Sequence, residues 1–143
     1  MHPEFQHPYI QSMEIVFIVG FILALSFSYY LYKKQSERLI ASLPLLSLLG
    51  HQVEEYVLSP IILGDHYHFL NWAYRIGMDI SPIEVVAINA PGWILVGSLL
   101  LFKSKTYVFS KYFLLINSIL IANAAFHLGV STSQGNFSPG MVT

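Results

Sequence analysis

Four long apolar stretches, separated by short polar ones, run along this chain, and each has the length that crosses a bilayer as a helix. The first, residues 15–32, is uninterrupted from Ile15 to Tyr32 and is stopped by Lys33-Lys34. Glu14 sits at its outer edge, and Tyr29, Tyr30 and Tyr32 mark the other interface. The second, 39–58, carries Pro44, which bends helices, and reads as ending at Ser59-Pro60. The third, 82–102, opens on Pro82, which suits a first helical turn, and contains Pro91, which disturbs the carbonyl of Ala87. In the fourth, 107–130, Ala125 and Gly129 form a small-xxx-small pair that lets another helix approach. Residues 61–81 form a longer connection whose middle, His66 to Tyr74, mixes aromatic and polar groups as a helix in the headgroup region does. The expected fold is all-α: a polytopic membrane helix bundle of four transmembrane helices, with a short interfacial helix between the second and third. The tail begins as loop at Ser131, and Ser138-Pro139 has the form of an N-cap and first helical residue, the start of a fifth helix.

Composition agrees with a single membrane domain over residues 1–143. The chain is 55% hydrophobic and only 10% charged, against about 25% charged in soluble domains. A net charge of −1 offers no footing for nucleic acid. With no cysteine, disulfides, thiolate nucleophiles and zinc–thiolate centres are excluded. Any metal would be held by imidazole and carboxylate, which suits zinc, iron or manganese. The polar-aromatic start, Met1 to Met13, lacks a basic segment and a small-x-small cleavage site, so no signal peptide is expected. Its His2 and His7 read as tail residues. Lys33, Lys34 and Arg38 fall in one connection, and Lys103, Lys105 and Lys111 around another. The positive-inside rule then makes loops 33–38 and 103–106 cytoplasmic and the N-terminus external, in an inner (cytoplasmic) membrane.

Against that background His51-Gln52-Val53-Glu54-Glu55 is out of place, since it puts ionisable groups where the pattern says lipid. One acidic side chain at mid-membrane costs about 2.5–3.5 kcal/mol on translocon scales, so two carboxylates need partners. On a helix His51 shares a face with Glu54 (i,i+3) and Glu55 (i,i+4). At 1.5 Å per residue His51 lies roughly 18 Å above the cytoplasmic edge of a core about 30 Å thick. Asn123 and His127, i,i+4 on the fourth span, come to the same outer half, and Asn89 on the third lies about 10 Å below the outer surface. Carboxylates and imidazoles from facing helices are how helical bundles build metal centres. The metal ligands expected are His51, Glu54, Glu55 and His127, with Glu54, Glu55, His51 and Asn123 as catalytic groups. Two other readings fit the same residues: polar glue that only holds helices together, and a metal-free acid/base pair. His68, Asn71 and Asn89 are secondary candidates, with His66 close by. Glu84 reads as a helix-start charge, Asn117 as an interhelical hydrogen bond, and Trp72 and Trp93 as anchors or packing residues.

At these residues the chain resembles the bacterial integral-membrane family named for its His-x-x-Glu-Glu (HXXEE) motif, matched by His51, Glu54 and Glu55. Ile88-Asn89, Asn123 to His127, and Phe137 to Thr143 with its Ser-Pro-Gly are similar to later blocks of that family. The resemblance implies a membrane protein and no particular activity. It also implies a further helix after Ser-Pro-Gly, without which one flank of the site would open to lipid or to a second copy in a homo-oligomer.

The function expected first is a metal-dependent, hydrolase-like enzyme of the outer leaflet, acting on a hydrophobic or lipid-like substrate and using a divalent metal. Metal-free isomerase-like chemistry comes next. An ion or proton carrier or transporter subunit, and a scaffold whose polar cluster only orders helices, come after it.

Overall fold

The computed structural model describes residues 9–102, 106–135 and 139. Expectations for His2, His7, Lys103, Lys105 and Ser138 lie outside those residues. The described chain is helical, with no strand among the described residues. Helix α1 is Ile10–Lys33, α2 Leu39–Val53, α3 Ser59–Leu63, α4 Phe69–Arg75, α5 Pro82–Gly97 and α6 Tyr107–Gln134.

Three helices are long and apolar enough to cross a membrane: Ile10–Lys33, Pro82–Leu101 and Tyr107–Ser133. They keep most of their apolar surface outward, with Ile94 75% and Leu101 83% exposed. Water does not tolerate apolar surface of that extent, and lipid does.

The second expected span differs from its prediction. Its α-helix stops at Val53, a 15-residue piece about 22 Å long, too short to cross on its own. A π-helical turn follows over Glu54–Leu58, and α3 continues to Leu63. Ser59-Pro60 is therefore not a stop. Pro60 opens α3, where its missing N–H costs nothing, and the Ser59 N–H reaches back to Glu54 O across the wider turn. The chain turns instead at Gly64, whose φ of +101° only glycine adopts without strain. The expected headgroup-region helix corresponds to α4, which follows a 3₁₀ turn at Asp65–Tyr67.

Contacts fix the arrangement. Helix α1 packs antiparallel on α2 so closely that a Cβ on Gly20 would meet Leu49 at 3.3 Å, and one on Gly50 would meet Phe21 at 3.3 Å. Lower on the same interface Ser28 donates to Ser42 at 2.9 Å, both buried. Helix α5 opens with a capping box in which Ser81 Oγ accepts from the Glu84 N–H and the Glu84 carboxylate accepts from the Ser81 N–H, as its helix-start reading requires. One core gathers Met13, Phe17, Tyr56, Leu70 and Val85 from α1, the π turn, α4 and α5. The other gathers Ala41, Val96, Leu99, Phe109 and Ile116 from α2, α5 and α6.

Gly50→Leu should therefore destabilise the bundle by about 1–3 kcal/mol, since the Phe21 ring must be displaced. Gly129→Leu, where a Cβ meets nothing within 4 Å, should be neutral. Thermal unfolding of the two variants in one detergent checks the contrast.

A candidate metal centre

Positions 51–55 bring α2 and the π turn against α5, through Gln52, and α6, through His51 and Glu55. His51 and Glu55 are one turn apart on the helical rod, and His127 comes from α6. Glu55 Oε1 lies 3.4 Å from His51 Nε2 and 3.1 Å from His127 Nε2. The three ligand atoms lie within 4.8 Å of one another, and all three residues are buried. The imidazole rings meet edge to face with centroids 5.1 Å apart.

His51 Nε2 has two close polar neighbours, the Asn123 amide nitrogen at 2.9 Å and the Glu55 carboxylate at 3.4 Å. In a neutral ring that nitrogen can accept from Asn123 while Glu55 Oε1 accepts from His127 Nε2–H at 3.1 Å. The same lone pairs could instead face one cation: ligand atoms about 2.1 Å from a tetrahedral ion sit roughly 3.4 Å apart, near the 3.4 and 3.1 Å separations from Glu55 Oε1, with the whole trio inside 4.8 Å. Two imidazoles and one carboxylate, with a position left open, is a ligand set that zinc hydrolases and non-haem iron sites share.

The predicted residues divide. His51, Glu55, His127 and Asn123 come together. Glu54 is buried, 7% exposed, but stands outside the converging trio, because consecutive helical residues point about 100° apart. Asn89 donates to Val85 O at 2.9 Å and accepts from Gln52 Nε2 at 2.6 Å, which uses its amide in holding α5 to α2. Asn71 donates to Asp65 O and ties the 3₁₀ turn to α4. His66 lies against Arg75, which bonds both its Nδ1 and its carbonyl. Asn117 donates to Phe113 O on its own helix.

His68 is the N-cap of α4, its Nδ1 accepting the Leu70 N–H at 3.2 Å. That bond places the proton of the neutral ring on Nε2, which faces Glu14 Oε1 at 3.4 Å. Burial lowers the His68 pKa to about 4, with Asp65 pulling the other way.

Gln52 is the residue that reading by motif passes over. It is 1% exposed, donates to Asn89 and accepts from Trp93 Nε1 at 2.8 Å, so one side chain locks two positions of α5. The available signal was a lone amide in an apolar run, facing another helix with Asn89 and Trp93 four residues apart. Trp72, read as an anchor or packing residue, packs against His127 with ring centroids 6.3 Å apart and so brings α4 beside the trio.

No protein-family model matches the chain, and neither a curated protein nor a solved structure is significantly similar to it.

Two outcomes follow from this geometry. The unfolded chain takes up a proton on His68 near pH 6.5 and the folded chain only near 4. Stability should thus fall as pH drops through that window, and His68→Asn, which keeps the cap, should flatten the fall when unfolding midpoints are compared across pH. Gln52→Leu removes the hydrogen-bond partner of two partly buried groups, Asn89 and Trp93, and should cost about 1–3 kcal/mol by thermal unfolding.

Proposed function

We propose that this chain is a metal-dependent, hydrolase-like enzyme of a bacterial inner membrane, acting on a hydrophobic or lipid-like substrate, with a divalent metal held by His51, Glu55 and His127. The observation that carries the reading is the convergence of His51 Nε2, Glu55 Oε1 and His127 Nε2, all buried, within 4.8 Å of one another. The bound ion would supply Lewis-acid polarisation and an activated water. Asn123 orients the His51 ring, and Glu54, buried next to Glu55 but outside the trio, would act as the general base. The run 39–63 serves as a fourth span in this reading. The basic connections face the cytoplasm, which sets the site in the outer half of the bilayer. Likeness to the His-x-x-Glu-Glu family supports the setting and leaves the reaction open.

The same distances support proton transfer by Glu55 and the two imidazoles without a metal, and the two readings part in one experiment. Protein purified in a metal-free detergent buffer should carry about one zinc, iron or manganese per chain by elemental analysis. Glu55→Gln and the His51→Ala, His127→Ala double variant should lose it, while Gln52→Leu should keep it. Wild type that is free of metal, and whose activity survives chelation yet vanishes in Glu55→Gln, belongs to the acid/base reading.

A further inference from the structure

Two clefts of similar size meet at the site. One, about 370 Å³, lies between α2 and α6 and reaches Leu43, Pro44 and Phe113. The other, about 360 Å³, lies between α2, α5 and α6 and reaches Val96 and Ile116. They share Leu48, His51, Leu120 and Asn123. Only the second is also lined by Glu55.

Glu55 sets the two apart. Ser47 and Asn117 lie partway down the first cleft, the Asn117 amide bonded to Phe113 O. Below Glu55, His51, Tyr56 and Asn123, the second is lined by Gly92, Leu95, Val96, Ile116 and Ile119, with Asn89 bonded to Val85 O and Gln52. Gly92 faces Leu48 across this cleft, where a Cβ would stand in ordinary contact at 3.8 Å and a longer side chain would enter the space. From Asn123 to Ile116 is seven residues of α6, or about 10 Å along the helix, against roughly 15 Å of hydrocarbon in one leaflet. A carboxylate–imidazole end over an apolar stretch of that length is complementary to an amphiphile with one chain.

We infer that the cleft lined by Glu55, Gly92, Val96 and Ile116 seats a single hydrocarbon chain of the substrate, its polar end at Glu55 and Asn123 and its chain running toward Val96 and Ile116. This rests on the proposed reading of the site and narrows its substrate to a one-chain amphiphile, such as a fatty alcohol, acid or ester. The other cleft, with Ser47 and Asn117, is left to water.

The test uses the full chain in lipid nanodiscs and a long-chain primary alcohol carrying a diazirine at the end of its chain. Photolysis and peptide mapping should place adducts on Val96 and Ile116. Gly92→Leu should cut that labelling about tenfold, the weight of two buried methylenes, and Ala124→Phe, in the other cleft, should leave it unchanged. If the leucine variant does not fold, Gly92→Ala should shorten the longest chain that labels the cleft. Labelling as dense on lipid-facing Ile15, Ile22 and Ile94 as on Val96, or lost equally in Ala124→Phe, overturns the inference. Metal content of the same samples separates it from the reading beneath it. A metal-free wild type with a labelled cleft sinks the metal and keeps the chain site. A metal-loaded wild type with an unlabelled cleft sinks the chain site alone.

Discussion

A buried carboxylate has to be neutralised, and at Glu55 the compensating groups come from two helices. Glu55 is 5% exposed, and His51 and His127 bring nitrogens to 3.4 and 3.1 Å of one of its oxygens. In a medium of low dielectric such an ion is tolerated only when paired, and breaking the pairing costs several kcal/mol. The contacts of Asn123 and His127 with His51 and Glu55 thus tie α6 to α2 at this level, beside the apolar packing of Phe109 and Ile116 in the second core.

The other residues of the same turns extend the effect to the remaining helices. Gln52 takes Asn89 and Trp93 of α5, and Tyr56 stacks on Phe17 of α1 with centroids 4.8 Å apart. Tyr56 also meets His68 and Phe69, at the start of α4, through ring contacts. Residues 51–56 thus touch α1, α4, α5 and α6. The π turn falls within this segment, and the extra residue it accommodates turns the rod between Val53 and Ser59 while letting it pass Pro60 unbroken.

Much of this was legible from spacing. Apolar length located the helices, and i,i+4 spacing put His51 with Glu55 and Asn123 with His127. Antiparallel counting at 1.5 Å per residue brought those pairs to one depth. What spacing does not encode is the departure from the α period, which carries the rod past Ser59-Pro60, read as its end, to Leu63. Nor does spacing within one helix say where α6 brings His127, and it is Glu55 rather than Glu54 that this ring meets. Gln52 escaped for a different reason: a single amide has no periodicity, and its value appears only when Asn89 and Trp93 face it from another helix.

The trio is arranged differently from the cohesive polar contacts elsewhere in the bundle. Glue is built so that each donor meets one acceptor, and Gln52 shows that this chain does so where only cohesion is needed, since its amide oxygen and nitrogen each have one well-placed partner. One residue away, and also buried, His51 Nε2 has a carboxylate oxygen at 3.4 Å and an amide nitrogen at 2.9 Å. Gln52 joins two helices through one-to-one pairs, whereas His51, Glu55 and His127 bring three ligand atoms within 4.8 Å of one another, a convergence that could hold a metal ion.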